Sequence, residues 1–424
     1  MNNQIVKIGI IGLGYVGLPL ATEFGKKFPT IGFDINQKRI DELNKGKDIT
    51  NEIDSSDFSK AKKLSFTSNS NELRECNYFI VTVPTPIDID NQPDISALES
   101  ASQTVGKLLK KDDIVVYEST VYPGLTEEIC VPILESVSDL TANEDFYYGY
   151  SPERINPGDK EHRITDIRKI TSGSTEDASK AIDKLYSSII KAGTYRASSV
   201  MVAESAKVIE NIQRDVNIAL VNELSIIFNK MGIDTEEVLK AAGTKWNFHH
   251  YKPGLVGGHC IGVDPHYLRY KAKEIGIDPK MITAGRELNE YMSLFVADRV
   301  FELMISKDIE IENSKILILG FSFKENCPDF RNTKVADLYK NLNREGNKVH
   351  VHDPWVDKAD VYEEYGIEII DLANENYYDA IVLAVAHSEF KKLTPEILKN
   401  YCKQNHIIFD MKHLYDASSV EGRL

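Results

Sequence analysis

The segment PGLVGGHCIGVDP, residues 253 to 265, places one cysteine in surroundings that suit nucleophilic chemistry. Gly257 and Gly258 precede Cys260 and carry no side chains, so a ligand can approach the backbone there. Asp264 adds a carboxylate four residues after the sulfur. A thiolate forms covalent adducts with carbonyl carbons, whereas a lone cysteine is more commonly a small buried hydrophobe. The residues themselves leave two hypotheses, a catalytic nucleophile and a structural thiol.

A polar pair interrupts an otherwise apolar helical pattern. Lys207 and Asn211 are four positions apart in SVMVAESAKVIENIQRDVNIALVNELSIIFNKM, so they lie on one helix face. Together they offer an ammonium group, which a phosphorylated ligand would need in this acidic protein, beside an amide that can bind sugar hydroxyls. The alternative is a solvated stripe on the helix surface.

Two further segments carry charged side chains just beyond predicted strands. SPERINPG holds Glu153 and Arg154, which are either site residues or a solvated pair. GFSFKENCPDFRNTK holds Lys324, Arg331 and Lys334 at the position where an α/β domain binds phosphate. This basic cluster therefore predicts a site for the phosphate groups of a ligand.

A glycine-rich turn near the start of the chain predicts a dinucleotide site. In KIGIIGLGYVGLPLATEF, a strand leads into Gly12, Gly14 and Gly17 and then into a helix. These glycines let the backbone approach a pyrophosphate at the helix N-terminus. Asp34, at the end of the next strand, can accept hydrogen bonds from a ribose 2'-hydroxyl and repels a 2'-phosphate, so the expected cofactor is NAD. Arg39 either covers the adenine by stacking or is a solvated arginine at a helix start.

Two later strand ends carry small hydroxyl residues and prolines in VTVPTP and YESTVYPG. Ligands of open α/β sheets bind beyond the carboxyl ends of the strands. Thr85 and Thr120 are therefore expected to contact the nicotinamide half of the cofactor. Pro84 and Ser119 are equally well explained as turn formers.

Charge and composition exclude several classes of protein. The 424 residues include 65 acidic and 50 basic side chains, and the net charge of −15 disfavours general binding to nucleic acid or anionic membranes. The chain has neither an apolar run of about eighteen residues nor a signal-peptide pattern, so a cytoplasmic protein is expected. Five scattered cysteines without a CxxC pair argue against a disulfide framework and structural zinc, and no metal site is predicted.

Strand and helix signals alternate in both halves of the chain, a pattern typical of parallel α/β sheets. We predict a doubly wound, Rossmann-like domain at residues 1–198 and a second one at residues 309–424. An all-helical central region at residues 199–308 carries the cysteine segment. No Gly or Pro interrupts Ser199 to Met231, which predicts one helix of about 50 Å. A helix of this length serves either as a subunit interface or as an intramolecular spine.

The motifs resemble those of the nucleotide-sugar 6-dehydrogenases, a family that includes UDP-glucose and GDP-mannose dehydrogenases. They occur in the family's order as GLGYVGLPLA, VPTP, ESTVYPG, SPER.NPG, AE.AK..EN..R..NIAL.NE, GGHCIGVDP and GFSFKEN.PD.RN.K. The resemblance implies an NAD-binding N-terminal domain, a central helix that builds a homodimer, and a C-terminal domain that holds the diphosphate of a UDP-sugar. Such enzymes oxidise the C6 primary alcohol of the sugar twice, to the uronic acid.

The resemblance also implies roles for individual residues. Cys260 matches the nucleophile that captures the C6 aldehyde as a thiohemiacetal and later carries a thioester, and Glu153 matches the base for its hydrolysis. The base of the first oxidation stays open between Lys207 and a water held by Asp264. The implied catalytic set is Cys260, Lys207, Asn211, Asp264, Glu153 and Thr120. The cofactor set is Gly12, Gly14, Tyr15, Val16, Gly17, Asp34, Arg39, Thr85, Thr120 and Lys334. The substrate set is Glu153, Arg154, Lys207, Asn211, Lys252, Gly257, Phe323, Lys324 and Arg331.

Two departures from the family pattern bear on the sugar. His259 and Val263 stand where UDP-glucose and GDP-mannose enzymes have the serine and the lysine of GGSC.PKD. GGHCIGVDP is similar to the branch that acts on UDP-GlcNAc or UDP-GalNAc in the synthesis of bacterial surface polysaccharides. UDP-glucose and UDP-ManNAc are the alternatives. More remote ones are a single-step 3-hydroxyacid dehydrogenase and a non-catalytic NAD-binding protein.

Overall fold

The computed structural model describes residues 5–50, 52–88, 90–155, 163–258, 261–372 and 375–424. His259 and Cys260 lie outside these described residues. The chain forms two compact units: Met1–Glu210 with His266–Ile277, and Asn211–Pro265 with Asp278–Leu424. The central region is thus divided between the two units, and its treatment as a separate third part stays a prediction.

A six-stranded sheet forms the centre of the first unit. Its strands are β1 (Ile8–Ile11), β2 (Thr30–Phe33), β3 (Leu64–Thr67), β4 (Tyr78–Val81), β5 (Ile114–Tyr117) and β6 (Tyr147–Tyr150). Their spatial order is β3-β2-β1-β4-β5-β6, and all neighbouring strands are parallel. Every residue of β1 and β5 is buried, so both faces of the sheet are covered. The strand order reverses between β1 and β4, which is where such sheets bind ligands.

Helices alternate with these strands along the first unit. They are α1 (Gly17–Gly25), α2 (Gln37–Asn44), α3 (Ser55–Lys60), α4 (Ser96–Gly106), α5 (Val131–Ser138) and α6 (Glu176–Ser187). The side chain of Thr175 caps α6 by accepting a hydrogen bond from the backbone N–H of Ala178. A small parallel pair of strands, β7 (Lys169–Thr171) and β8 (Thr194–Arg196), flanks α6 in the sequence.

In the described part of residues 200–306, four helices make up the middle of the chain. They are α7 (Val200–Met231), α8 (Thr235–Ala242), α9 (Asp264–Glu274) and α10 (Lys280–Ser306). The predicted long helix is present as α7, and Gly232, with φ +72, follows its last residue. None of the helices within the described ranges is both long and apolar enough to cross a membrane.

A second parallel sheet organises the C-terminal part of the second unit. Its strands are β9 (Lys315–Leu319), β10 (Lys348–His352), β11 (Tyr378–Leu383), β12 (Cys402–Asp410) and β13 (Gly422–Arg423), and its helices are α11 (Val335–Asn343), α12 (Lys358–Tyr365) and α13 (Pro395–Tyr401). The strand order is β10-β9-β11-β12-β13, with parallel pairing throughout. The prediction of two Rossmann-like α/β domains with a helical middle region is confirmed.

A buried ion pair links α7 to α10 within the second unit. Asp215 Oδ1 lies 2.5 Å from Arg286 Nη1 and accepts a hydrogen bond from Asn289 Nδ2 at 2.8 Å. The side chains of Asp215 and Arg286 are 0% and 1% exposed. Burial raises the pKa of Asp215, and the hydrogen bonds and charge of its two partners oppose that shift. Arg286 therefore compensates a carboxylate that has no access to solvent.

Arg286→Met is expected to lower the free energy of unfolding by about 3–5 kcal/mol, because it leaves the Asp215 carboxylate buried without its charge partner. Urea denaturation at pH 7 measures the loss. The matched double variant, Arg286→Met with Asp215→Leu, removes both charges and should regain most of the stability. Equal losses in the single and double variants would contradict this electrostatic explanation.

Candidate active site

Three glycines shape the turn between β1 and α1. Gly12 has φ +94, and a Cβ atom there would lie 3.1 Å from Thr82 O. A Cβ atom on Gly17 would lie 1.9 Å from Gly12 O, so α1 packs directly on the turn. A Cβ atom on Gly14 would meet no heavy atom within 4 Å, which leaves open space above the backbone. The turn therefore has the shape that a pyrophosphate requires at a helix N-terminus.

Asp34 follows β2 and is bonded to the same turn. Its Oδ2 accepts a hydrogen bond from Leu13 N at 2.9 Å, and its Oδ1 accepts one from Asn36 N at 2.9 Å. A carboxylate has about four lone-pair positions, so acceptor capacity remains for ribose hydroxyl groups. Tyr15 and Val16 lie half-buried between the glycines and α1. The described residues thus fit NAD, and contact of Asp34 with the ribose stays a prediction.

Arg39 is held beside the glycine turn rather than in solvent. Its Nε donates to Leu13 O at 3.1 Å and its Nη2 donates to Asp48 Oδ1 at 2.8 Å. The side chain is only 7% exposed, so the alternative of a solvated arginine is wrong. The physical reason is the buried Asp48 carboxylate, which binds the guanidinium group. Stacking of Arg39 on the adenine stays a prediction.

The segments that follow β4 and β5 are fixed at the carboxyl edge of the first sheet. Ser119 Oγ donates to Val83 O at 2.6 Å, and the Tyr267 hydroxyl donates to Thr85 O at 3.0 Å. Thr85 and Thr120 are both half-buried at this edge. Because the edge adjoins the reversal in strand order, it suits a ligand. The specific contacts with the nicotinamide half stay predictions.

Glu153 belongs to a buried ionic network that also includes Lys169 and Glu118. Its Oε1 accepts hydrogen bonds from the backbone N–H groups of Arg154 and Ile155 at 2.7 Å and 2.8 Å. Its Oε2 accepts from Lys169 Nζ at 2.7 Å, and the same Nζ donates to Glu118 Oε2 at 2.6 Å. The side chain of Glu153 is 7% exposed, so the solvated-pair alternative is wrong for this residue.

Arg154 is directed toward α7. Its Nη2 lies 2.8 Å from Glu210 Oε1, its Nε donates to Glu210 Oε2 at 3.1 Å, and its Nη1 donates to Arg168 O at 3.1 Å. The Arg154 and Glu210 side chains are 31% and 36% exposed. The Glu210 carboxylate partly neutralises the guanidinium charge, and the predicted contact of Arg154 with substrate stays a prediction.

The polar face of α7 is buried. Lys207 and Asn211 are 9% and 7% exposed, so the alternative of a solvated stripe is wrong. Asn211 Nδ2 donates to Asp264 Oδ2 at 2.6 Å, and Asp264 is 1% exposed. The structure therefore brings together an amide and a carboxylate that lie 53 residues apart in the sequence. A buried amide fixed in this way has a defined orientation, as stabilisation of an oxygen anion requires.

Hydrogen bonds fix the described residues that precede the cysteine at two positions, Gly254 and Gly258. Asn222 Oδ1 accepts a hydrogen bond from Gly254 N at 2.8 Å, and Asn222 Nδ2 donates to Gly254 O at 3.0 Å. Gly258 N donates to Asn332 O, and Asn332 Nδ2 donates to Gly258 O, both at 3.0 Å. These bonds hold the chain immediately before the two undescribed residues. The predicted role of Cys260 concerns a residue outside the described ranges and stays a prediction.

Close packing explains both glycines of this segment. A Cβ atom on Gly257 would lie 2.4 Å from Asn332 O, and one on Gly258 would lie 2.9 Å from Phe323 Cδ2. Gly258 also has φ +85, which disfavours other residue types. Gly257 and Phe323, both predicted to contact substrate, line the same small cavity in the second unit. Lys324 Nζ lies 5.8 Å from the centre of the Phe323 ring.

The predicted phosphate cluster is partly neutralised by neighbouring carboxylates. Arg331 binds Asp329 in a bidentate manner, with Nε to Oδ1 at 2.9 Å and Nη2 to Oδ2 at 2.6 Å. The Nζ atom of Lys334, just before α11, lies 3.2 Å from Asp337 Oδ2. Lys252 is also predicted to contact substrate; its side chain is 66% exposed, and its Nζ atom lies 3.6 Å from Glu236 Oε1. Roles of these cations in binding stay predictions.

Sequence reasoning missed three residues that hold the predicted groups in place: Glu118, Lys169 and Asn332. Lys169 interrupts the strand-like stretch RKITSG with a charge, which is a detectable signal of a buried partner. Glu118 lies in YESTVYPG, a segment in which the pattern predicted roles only for the hydroxyl residues and prolines. Asn332, with φ +52, occupies a backbone conformation that asparagine tolerates, but nothing in the sequence pairs it with Gly258.

Comparison with known proteins assigns the class of this chain. The UDP-glucose/GDP-mannose dehydrogenase family matches it through an NAD binding domain at residues 6–190, a central domain at 201–291 and a UDP binding domain at 317–417. The chain belongs to this family. It is an NAD-dependent oxidoreductase of the nucleotide-sugar dehydrogenase class, and the predictions of family, cofactor and enzyme class are confirmed.

Several relatives are similar over almost the whole chain. The UDP-N-acetyl-D-glucosamine 6-dehydrogenase of Pseudomonas aeruginosa is 57% identical over 419 residues, covering 99% of each chain. The protein of that name from Salmonella typhi is 56% identical, also covering 99% of each chain. Among solved structures, a UDP-D-ManNAc dehydrogenase from Pyrococcus horikoshii has a TM-score of 0.87 at 32% identity and covers 97% of this chain and 96% of its own.

Gly14→Ala is expected to separate cofactor binding from folding. Its methyl group would enter open space, so Tm should not change, while NAD affinity should fall by about tenfold or more because the pyrophosphate needs that space. Gly17→Ala is the matched control and should lower Tm as well, since its methyl group would collide with Gly12 O. Calorimetric titration and thermal unfolding measure the two effects. Wild-type NAD affinity in Gly14→Ala would contradict the assigned pyrophosphate position.

Proposed function

We propose that this enzyme oxidises the C6 hydroxyl of UDP-N-acetyl-D-glucosamine to the uronic acid. The assignment of this substrate rests on the 57% identity, over 99% of both chains, to a UDP-N-acetyl-D-glucosamine 6-dehydrogenase. His259 and Val263, the two departures from GGSC.PKD, support an N-acetylated sugar. UDP-GalNAc differs from UDP-GlcNAc only in the direction of one hydroxyl and is the second substrate to test. The reaction needs NAD and a UDP-sugar, so we place it in the cytoplasm, where its product supplies surface polysaccharide synthesis.

The proposed chemistry uses Cys260 as a covalent carrier of the oxidised carbon. Two molecules of NAD, bound one after the other, would supply the hydride acceptor for the two oxidations at C6. The thiolate adds to the aldehyde carbon to give a thiohemiacetal, and loss of hydride and a proton from this adduct gives a thioester. Water then attacks the thioester carbonyl, the carbon–sulfur bond breaks, and the uronic acid leaves with the thiol restored.

Lys207 and Asn211 are proposed to stabilise the negative charge that develops on the C6 oxygen. The hydrogen bond from Asn211 Nδ2 to Asp264 Oδ2, at 2.6 Å, fixes the amide before substrate arrives. Both side chains are at least nine-tenths buried, which strengthens their interaction with an anion. The proton of the first oxidation passes either to Lys207 or to a water held by Asp264.

Glu153 is proposed as the base that takes a proton from the hydrolytic water, which Thr120 helps to hold. Two backbone N–H groups and Lys169 fix the Glu153 carboxylate. A general base must be held in reach of one proton, and a carboxylate bound by three donors has little freedom to turn away. Lys324, beside Phe323, and Arg331 are proposed to contact the sugar and diphosphate of the substrate. Lys334 is proposed to contact NAD.

The substrate and the nucleophile are tested together. With NAD and a panel of UDP-GlcNAc, UDP-GalNAc, UDP-ManNAc and UDP-glucose, mass spectrometry should find the uronic acid of UDP-GlcNAc as the fastest-formed product. Cys260→Ala should lose uronate formation and still bind NAD and UDP-GlcNAc. Cys327→Ala, which removes a buried thiol of the same unit, is the matched control and should keep turnover. Uronate formation at the wild-type rate in Cys260→Ala would exclude covalent catalysis at this residue.

We also propose that α7 builds a homodimer. Ile209, Leu220, Ile227 and Met231 are 54%, 53%, 45% and 63% exposed. Their spacings of eleven, seven and four residues place them on one helix face, at about 100° per residue. An exposed apolar stripe of three helical turns or more needs a partner surface, and a second copy of α7 offers the same stripe.

Ile227→Lys is expected to convert the dimer to a monomer, because it places a charge within the apolar stripe of the proposed interface. Analytical ultracentrifugation measures the mass in solution. Ile275→Lys, at an isoleucine of 61% exposure outside α7, is the matched control and should leave the dimer intact. A dimer of undiminished stability in Ile227→Lys would refute this interface.

A further inference from the structure

Three buried charged side chains meet next to the proposed hydrolytic base. Lys169 Nζ lies 2.7 Å from Glu153 Oε2 and 2.6 Å from Glu118 Oε2. The Lys169, Glu118 and Glu153 side chains are 3%, 0% and 7% exposed. Glu118 follows β5, Glu153 follows β6, and Lys169 begins β7, so three separate elements each contribute one charge. We call this cluster the carboxylate–lysine network.

Tyr186 contacts two members of the network, Glu118 and Lys169. Its hydroxyl donates a hydrogen bond to Glu118 Oε1, and its ring centre lies 5.5 Å from Lys169 Nζ. Burial opposes the charged form of Lys169, yet the two neighbouring carboxylates raise the pKa of this lysine overall. Burial raises the pKa of Glu118 to about 7, against the opposing effects of Lys169 and Tyr186. The lysine therefore stays charged, and when both carboxylates are ionised, above about pH 7, the network carries one surplus negative charge.

Stability alone does not explain such a cluster. Replacing a buried ionic cluster with apolar side chains of similar volume is often neutral or stabilising, so three buried charges are weak evidence for a role in stability. Perturbed groups of this kind are concentrated at functional sites, where they hold another group in a required state. Only Glu153 of the three is assigned to the chemistry, which leaves Lys169 and Glu118 to act through it.

We propose that Lys169 is a positioning residue for thioester hydrolysis: it fixes Glu153 and, with Glu118, sets the charge that drives proton uptake. The proposal rests on the proposed role of Glu153. When Glu153 takes the proton of the attacking water, the network changes from a net charge of minus one to zero. The hydroxyl bonds to the thioester carbon, and the Cys260 thiolate leaves. Uptake of the proton thus removes surplus negative charge from a buried space.

Changes of charge in the network should therefore control one step of the reaction. Without Lys169, two carboxylates face each other and share a proton at rest, as closely spaced acid pairs do, so Glu153 is less available as a base. Without the Glu118 charge, proton uptake would leave a surplus positive charge instead. Removing both charges restores the original balance, because Glu153 alone again changes from minus one to zero.

The experiment measures the covalent enzyme by intact-protein mass spectrometry after mixing with UDP-GlcNAc and NAD. Lys169→Met should form NADH at the wild-type rate in the first turnover and then accumulate the thioester, because hydrolysis slows by about 100-fold, the lower range for general-base catalysis. Glu118→Gln should accumulate it to a lesser extent. The double variant should hydrolyse the thioester at least about tenfold faster than Lys169→Met. Lys271→Met, which breaks an ion pair with Glu128 elsewhere in this unit, is the control and should accumulate none.

Glu153→Gln distinguishes this proposal from the proposed function. If Glu153→Gln accumulates the thioester and Lys169→Met does not, the role of Lys169 is refuted while that of Glu153 stands. If Glu153→Gln turns over like the wild type, both are refuted. A double variant no faster than Lys169→Met would overturn the charge balance. If Lys169→Met does not fold, Glu118→Gln tests the proposal instead. Thioester hydrolysis at the wild-type rate in Glu118→Gln would also overturn the proposal.

Discussion

Polar groups removed from water must find partners inside the protein, and this constraint shapes both units of the chain. In the first unit, Lys169 pairs with the carboxylates of Glu118 and Glu153. In the second, Asp215 is compensated by Arg286, and Asn211 is bonded to Asp264. Groups held in this way cannot rotate freely, so their orientation is set before any ligand binds. The same bonds that make burial tolerable therefore also fix the groups that are proposed to act in the reaction.

Backbone contacts apply a similar constraint to the binding segments. Gly12 and Gly258 both have positive φ angles, and a Cβ atom at either position would lie within 3.1 Å of a neighbouring atom. In each case the absence of a side chain lets another part of the same unit come close. The glycine turn uses this freedom to expose its backbone at Gly14, whereas Gly258 uses it to lie against Phe323 and Asn332.

Local patterns were sufficient to predict much of the fold and the cofactor site. Strand, glycine turn and helix are adjacent in the sequence, and the position of Asp34 follows from the next strand, so no distant contact is needed. The long helix was likewise predictable, because no Gly or Pro interrupts it. These patterns could not predict which polar residues are exposed to solvent. Arg39, Lys207 and Glu153 are buried, although the sequence was also consistent with solvated side chains at these positions.

The partners of those buried groups come from distant parts of the chain. Lys169 and Glu118 are 51 residues apart, and Asn332 and Gly258 are 74 apart. Periodicity and motif spacing report on neighbours along a helix or strand, and they carry no signal for pairs formed by the packing of separate elements. The neutralisation of Arg331 by Asp329 is closer in sequence, but a carboxylate two residues from a cation can point either toward it or away.

In the proposed reaction, one active site oxidises the same carbon twice and holds it as a thioester between the second oxidation and hydrolysis. Counting NADH formed per molecule of limiting UDP-GlcNAc, with NAD in excess and the reaction run to completion, separates a double oxidation from a single one. We expect two NADH per sugar, with no aldehyde released. One NADH per sugar, as a single-step dehydrogenase would give, would contradict the proposed reaction.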